Sequence, residues 1–569
     1  MIGLISATAA GAAARDRLAA AWPDRTRVYD GPVGDAVRRA FAECGQLVCF
    51  LATGAVVRLV APLLGDKASD PGVVCVDEGG RFAVSLVGGH GGGANELAVA
   101  VAEVLGARPV VTTATDAVGI PGLDTLGLPV EGDVAGVTRA LLDGEPVALD
   151  AEVAWPLPPV PFAPGGAHTV RLTDRAVAPG EREVLLRPPT VVVGVGASRG
   201  APADVVLALV EDALRDAGLS ALSLAELATV DAKRDEPGLV EAARRLGVPL
   251  VTHSAGELAD VEVPNPSDAP LAAVGTPSVA EAAALIGGGE LLVPKRKSAD
   301  VPATATCAVV RRPGRGRLAV VGLGPGARDL LTPRAKAELA RSSVLVGLDQ
   351  YVDQIRDLLR PGTRILESGL GAEEERARTA VEEARRGQSV ALIGSGDAGV
   401  YAMASPALAE ASDDIDVVGV PGVTAALAAG AILGAPLGHD HVSISLSDLH
   451  TPWEVIERRV RAAAEADIVV TFYNPRSRGR DWQLPKALSI LAGHREPGTP
   501  VGVVRNASRP DGTARLTTLG ELDPAWVDMM TVVTVGNTAT RTIAGRMVTP
   551  RGYRWQENSP QPDPQEGAR

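Results

Sequence analysis

Leu318-Ala319-Val320-Val321-Gly322-Leu323-Gly324-Pro325-Gly326 reads as a strand that runs directly into a glycine-rich turn. The apolar, partly β-branched run favours extended backbone, and glycines let backbone N–H groups approach a ligand closely. Two further strands in the same region end the same way. Val390-Ala391-Leu392-Ile393 leads into Gly394-Ser395-Gly396-Asp397-Ala398-Gly399-Val400-Tyr401, and Val417-Val418-Gly419-Val420 leads into Pro421-Gly422-Val423-Thr424-Ala425-Ala426. Three such turns point to one ligand approached from several sides. Gly322-x-Gly324-x-x-Ala327, with Asp349 after Val344-Leu345-Val346, also satisfies a relaxed dinucleotide pattern. Helix placement speaks against that reading. Thr332 is a good N-cap and Pro333 suits the first helical position, so the next helix starts six residues beyond Gly326, too far for its dipole to meet a pyrophosphate at the turn.

Outward from this unit, Arg311-Arg312-Pro313-Gly314-Arg315-Gly316-Arg317 is a flexible, basic boundary. The chain has 569 residues, about four compact units at roughly 150 residues each. From Met1 to about Val130, runs such as Gln46–Leu51 and Gly72–Val76 alternate with Ala-rich stretches such as Ala94–Leu105, a strand and helix alternation. Residues 131–189 are rich in proline and weakly periodic, a small middle domain or a long connection. Thr190-Val191-Val192-Val193-Gly194 opens a third α/β unit at 190–312, and the fourth spans 317–555. Residues 556–569 are polar and Pro-rich, a disordered tail. The fold class expected is multidomain α/β.

Composition narrows the function. Lys+Arg 55 against Asp+Glu 69 gives a net charge of -14, which disfavours a broad grip on nucleic acid or an anionic membrane. Hydrophobic residues are 46% and aromatics only 3%, with 64 Gly and 43 Pro, a turn-rich chain built on Ala, Val and Leu. Cys44, Cys49, Cys75 and Cys307 form no CxxC pair and suit a reducing compartment. Met1–Ala14 lacks a basic start, and no apolar stretch reaches the roughly 18–20 residues of a membrane span, so a soluble cytoplasmic protein is expected. Gly438-His439-Asp440-His441 places alternate residues on opposite faces of an extended segment, and no metal site is expected.

The GxGPG turn, the Gly396-Asp397-x-x-x-Tyr401 segment and Pro421-Gly422-Val423-Thr424-Ala425-Ala426 resemble the tetrapyrrole methyltransferases that use S-adenosylmethionine. Within them, Ile444–Trp453, Tyr473-Asn474-Pro475-Arg476-Ser477, Val504-Arg505-Asn506-Ala507 and Thr549–Tyr553 resemble the C17-methyltransferases of cobalamin biosynthesis, which act on precorrin-3B or cobalt-factor III. The resemblance implies a two-lobed α/β fold (class III) with the cofactor folded into the cleft, and a homodimer by family analogy. It places cofactor contacts on the Gly322, Gly324, Pro325 and Gly326 turn, on Ser395, Gly396, Asp397 and Val400, on Thr424 and Ala425, and on Asn474 and Ala507. Where relatives often have Gly-Asp-Pro, this chain has Gly396-Asp397-Ala398. Ring contraction, which the resemblance adds to methylation, wants a proton donor or acceptor, for which Asp448 and His450 are candidates. His450, ahead of Thr451-Pro452, equally suits a helix entrance. Arg476, Arg478 and Arg505 are candidates for gripping peripheral acetate and propionate groups.

Gly54–Arg58, Ala61–Lys67, Gly88-Gly89-His90-Gly91-Gly92-Gly93-Ala94-Asn95-Glu96 and Thr112–Asp116 resemble the cobalt-precorrin-5A hydrolases. So do Asp231–Leu239, His253–Leu258 and Gly275–Ala282. The resemblance implies opening of a δ-lactone on the macrocycle and loss of acetaldehyde, chemistry that needs an activated water and oxyanion donors. His90 or Glu96 would handle a proton, unless the glycines serve only tight packing; Lys233 is a candidate for binding substrate carboxylates, unless its charge cluster is a solvated loop. The turn Gly194-Val195-Gly196-Ala197-Ser198-Arg199-Gly200 lacks the cysteine common among relatives, so no thiol acts there. A bifunctional methyltransferase and hydrolase is therefore expected, against the alternatives of a non-catalytic corrinoid-binding N-terminal half or a protein substrate for the methyltransferase fold.

Overall fold

A computed structural model describes residues 1–66, 69–300, 302–312, 314–369 and 371–552. The expected tail at 556–569, and Lys67 and Tyr553 of the quoted motifs, lie outside the described residues. The chain is multidomain α/β and divides into two compact units, Met1–Arg315 with Arg360–Thr363, and Gly316–Leu359 with Arg364 onward.

The first unit holds three sheets. The six-stranded one runs in the order Thr26–Val28, Ile2–Ser6, Gln46–Phe50, Gly72–Val76, Phe82–Val87, Arg108–Val110, and only the contact between Gly72–Val76 and Phe82–Val87 is antiparallel. Side chains alternate across it. Val48, Phe50, Val74 and Val76 pack with Leu97 and Val101 of the helix Ala94–Leu105, while Leu47, Cys49, Val73 and Cys75 pack with Val37 and Val56. Burial on both faces explains why its strands read as unbroken apolar runs. The four cysteines are buried and free, and burial pushes the Cys49 thiol up to about 12 and that of Cys307 up to about 11.

Residues 130–186 form a four-stranded sheet in the order Val130–Gly132, Glu183–Leu186, His168–Leu172, Val147–Ala151, covered by the helix Val134–Leu142. The third sheet runs Leu250–His253, Leu224–Val230, Val191–Ala197, Ala305–Arg311, Glu290–Lys297, its first three strands parallel. Asp174 joins these two layers. Its buried carboxylate accepts from Arg311 Nε (2.6 Å) and Nη2 (2.9 Å) and from Thr190 Oγ1 (2.9 Å).

The second unit has two lobes. In the first, five parallel strands stand in the order Arg364–Ser368, Val344–Leu348, Ser389–Gly394, Arg317–Gly322, Asp416–Val420. The second lobe carries His441–Ser445, Val469–Tyr473, Thr531–Val535, Pro500–Arg505 and Thr513–Thr518, with only the first pair parallel. The helix Ala425–Leu433 lies between them in sequence. The helix expected after the first turn is Pro333–Arg341, capped by Thr332, whose hydroxyl accepts from Ala335 N at 3.1 Å. No helix among the described residues is long and apolar enough to cross a membrane.

Replacing Asp174 by Ala strips a paired, largely buried Arg311 of its main counter-ion. The expected cost is about 3 kcal/mol of stability, read as a lowered midpoint in denaturant unfolding, whereas Glu290→Ala, at the exposed partner 3.5 Å from Arg311, leaves the midpoint nearly unchanged.

Candidate active site

The three turns of the first lobe meet at the carboxyl ends of neighbouring parallel strands, where open α/β sheets place ligands. Gly324 and Gly396 exchange backbone hydrogen bonds of 2.9 and 2.8 Å, both at positive φ (+74° and +67°). A Cβ on Gly422 would stand 2.1 Å from Gly396 O, and one on Gly322 2.8 Å from Gly422 N. Backbone fills the space that side chains would need. Asp397 fastens the second turn to the third, since Oδ1 accepts from Gly399 N (2.8 Å) and Oδ2 from Gly422 N (3.0 Å). These bonds hold the turn on either side of Ala398, which is buried. Ser395 and Val400 are half-buried beside it, and Val400 N donates to Asp397 O at 3.2 Å.

The second lobe reaches this junction through two side chains, Arg509 and Tyr473, whose roles are set by long-range contacts. Arg509 Nε donates to Pro325 O at 3.1 Å, and its stem occupies the place where a Cβ of Gly326 (φ +134°) would be, 2.7 Å from Arg509 Cγ. Tyr473 places its phenol oxygen 2.8 Å from Ala426 N and 2.6 Å from Thr424 Oγ1. It thereby satisfies an N–H at the start of the helix Ala425–Leu433, whose N-cap Thr424 makes no side-chain cap bond of its own. Burial raises the Tyr473 pKa, so the phenol is protonated at neutral pH. The Tyr401 ring lies 5.3 Å from that of Tyr473, and its hydroxyl donates to Ser443 O at 2.7 Å. Tyr473 and Tyr401 both sat inside motifs quoted above; phenols supplying a cap and a cross-lobe bond leave no sequence signal of their own.

Asn474 follows Tyr473 in the left-handed region (φ +48°) and donates from Nδ2 to Ser445 Oγ at 3.1 Å. Ala507 is buried, and Asn506 before it has φ +49°. Thus Gly322, Gly324, Pro325, Gly326, Gly396, Asp397, Thr424 and Ala425 are brought together at the strand-end turns, with Asn474 on the residue next to Tyr473. Asp448 is half-buried and accepts from Gln483 Nε2 at 2.9 Å, while His450 is exposed two residues on. The arginines separate. Arg505 is engaged by Asp528 (2.7 Å) and Asp511 (3.5 Å), Arg476 donates to Pro524 O (3.1 Å), and Arg478 is exposed. Arg480, unremarked in the sequence, donates instead to Leu446 O (2.9 Å) and Asn474 O (2.6 Å).

In the first unit, the glycine-rich turn before Ala94–Leu105 packs by contact of backbones, for a Cβ on Gly72 would stand 2.2 Å from Gly92 O. Gln46 Nε2 holds the carbonyls of Gly92 (3.2 Å) and Gly93 (3.0 Å). His90 Nε2 is 2.7 Å from the hydroxyl of buried Thr115, and Glu96 is exposed in the first turn of the helix. Lys233 is tied to Glu236 at 2.9 Å, and Glu236, buried, also accepts from Gly200 N at 2.6 Å. The hydrogen bond from Lys233 leads the causes that hold the Glu236 carboxyl below its usual range. Among the described residues no group of three His, Cys, Asp or Glu side chains is placed to hold a metal ion.

A two-lobed α/β unit with a glycine-only junction at its strand ends defines the class. The chain belongs to the tetrapyrrole (corrin/porphyrin) methylases, whose family model matches residues 317–523. Residues 191–310 and 35–116 match the families described as cobalamin synthesis G C-terminus and cobalamin synthesis G N-terminal. A Salmonella typhimurium protein named "Probable cobalt-factor III C(17)-methyltransferase" is 46% identical over 239 residues, 42% of this chain and 99% of that protein. A Sinorhizobium precorrin-3B C(17)-methyltransferase is 41% identical over 250 residues, 42% of this chain and 97% of its own length. The crystal structure of the methyltransferase CobJ shares 40% identity over 41% of this chain and 100% of that chain, with a TM-score of 0.40.

Gly422→Ala drives a methyl group into Gly396 O, and the junction must open. A loss of about 2–4 kcal/mol is expected, seen in urea unfolding; Gly419→Ala, where a Cβ meets nothing within 4 Å, is the control and shifts far less. In the first unit, the depressed carboxyl of Glu236 contributes stability above its ordinary pKa of 4.5 that is lost as pH falls through the lower folded value. Glu236→Gln should therefore destabilise at pH 7 and converge on the parent protein only as pH falls through that lowered folded value, in unfolding measured across pH.

Proposed function

We propose that residues 317–552 carry a C17-methyltransferase that uses S-adenosylmethionine and contracts the ring of precorrin-3B or cobalt-factor III. Residues 1–312, in the same proposal, carry a cobalt-precorrin-5A lactone hydrolase that releases acetaldehyde. The observation that carries the first part is the glycine-only junction. Gly322 and Gly422 are packed backbone to backbone with no room for a Cβ, and Gly396 between them holds a positive φ, so the turns present main-chain groups, a fit to a ligand bound chiefly through them. Likeness to the C(17)-methyltransferases of Salmonella typhimurium and Sinorhizobium supplies the substrate class.

Pro325, Ser395, Gly396, Asp397, Val400, Thr424, Ala425, Asn474 and Ala507 would hold the cofactor, which supplies an electrophilic methyl on a sulfonium. The protein's share is then alignment and exclusion of water. Asp397 keeps two turns in register, and Tyr473 and Arg509 join the second lobe to the first. Asp448, held by Gln483, would exchange a proton with the ring during contraction, with exposed His450 two residues on as the alternative. In the first unit, backbone N–H groups of the glycine-rich turn would receive the lactone oxyanion, with His90 as proton carrier, Glu96 as the alternative carrier and Lys233 toward substrate carboxylates. We place the enzyme in the cytoplasm as a homodimer, with no nucleic-acid partner. Leu427 and Ile432, exposed on the helix Ala425–Leu433, are apolar surface that a second subunit would cover.

Incubation with methyl-labelled S-adenosylmethionine and either macrocycle should give a product heavier by one labelled methyl, and Asp397→Leu should abolish it. An unchanged macrocycle mass with both substrates rejects the methyltransferase. Cobalt-precorrin-5A should yield acetaldehyde; corrinoid binding without acetaldehyde would make the N-terminal half a binding module.

A further inference from the structure

Carboxylate recognition by the second lobe needs a cation that the protein itself has not neutralised. Arg505 is spent on Asp528 and Asp511. Arg480 is not. It is half-buried, and among the described residues it forms no ion pair. Burial lowers its pKa, and the nearby Asp448 carboxylate opposes that shift.

The donors of Arg480 are unevenly used. Nη1 gives both of its N–H groups to carbonyls, Leu446 O at 2.9 Å and Asn474 O at 2.6 Å. Nη2 meets only the thioether of Met529, at 3.7 Å, a weak acceptor. Nε has no hydrogen-bond partner among the described residues. The edge formed by Nε and Nη2 is the one that takes a carboxylate in side-on bidentate fashion. The two carbonyl bonds fix the plane of the guanidinium, so little freedom is left to lose on binding. They also tie it to Asn474, proposed above as a cofactor contact, and Arg480 itself closes a hairpin by exchanging backbone bonds of 3.0 Å with Ser477.

We propose that the Nε/Nη2 edge of Arg480 anchors one peripheral carboxylate of the macrocycle, and so sets which edge of the ring faces the methyl donor. This rests on the methyltransferase reading above. Arg480 is the specificity-determining cation, and Arg505 is a brace for its own loop.

The test is absorbance titration of the full chain with cobalt-factor III and with its peripheral methyl esters, with S-adenosylhomocysteine affinity measured in parallel by calorimetry. Arg480→Gln should weaken the free acid by roughly 10- to 100-fold, Arg480→Lys should recover part of that, and S-adenosylhomocysteine affinity should stay within about twofold of the parent in both. Among the single esters, the one at the anchored carboxylate should bind the parent protein as weakly as the free acid binds Arg480→Gln, and Arg480→Gln should no longer distinguish that ester from the acid. Equal binding of the acid by parent and Arg480→Gln overturns the proposal. So does parallel loss of macrocycle and S-adenosylhomocysteine affinity, which would make Arg480 a brace for two turns. If Arg480→Gln does not fold, equal binding of the acid and every single ester by the parent protein is sufficient to reject it. No binding of either macrocycle to the parent protein rejects the methyltransferase reading instead, a distinguishable outcome.

Discussion

Main-chain contact among three strand-end turns constrains everything else in the second unit. Where Gly322 and Gly422 meet the backbone of Gly396, peptide groups approach within distances that a methyl on either of the first two would violate. Close approach costs conformational entropy at each glycine. Asp397 offsets part of that by tying two of the turns together through backbone N–H groups. The strands behind the turns are wholly buried at their ends, so the cradle stands on a rigid base. A site of this kind presents peptide dipoles, with its charged side chains Asp397 and Arg509 engaged by the backbone of the turns, which suits alignment of a reactive methyl better than acid or base work.

Much of the fold could be read from the chain because its strands are buried on both faces. Val48 and Phe50 point to one core and Leu47 and Cys49 to the other, so the run appears as an uninterrupted apolar block bounded by turns. Thr332 and Pro333 announced their helix by capping chemistry that is local in sequence. The Pro-rich stretch from 131 to 189 was harder. Its four-stranded sheet has short or half-exposed strands and a single covering helix, and what fixes it to the next sheet is the buried Asp174–Arg311 pair, 137 residues apart. A long-range ion pair leaves no periodicity.

The candidate site divides along the same line. Its glycines were legible, since a strand followed by Gly-x-Gly is a local pattern with a local cause. Tyr473, Arg509, Gln483 and Arg480 were not, for each acts across tens or hundreds of positions: Tyr473 on Ala426, Arg509 on Pro325, Gln483 on Asp448 and Arg480 on Leu446. Arginines counted in sequence are equivalent, and only their partners separate Arg505, which is neutralised, from Arg480, which keeps an unspent edge. On the hydrolase-like side His90 and Lys233 were legible as residue types, while their engagement by Thr115 and Glu236 emerges only in three dimensions.

On the proposed reading, these turns form the seat of a sulfonium nucleoside in a ring-methylating enzyme. A crystal structure of the full chain with S-adenosylhomocysteine tests it most directly. The nucleoside should lie against Pro325, the Ser395–Val400 turn and Thr424, with hydrogen bonds to main-chain groups of those turns. Density for it anywhere else, or a native crystal form that excludes it from the junction at saturating concentration, would contradict the account.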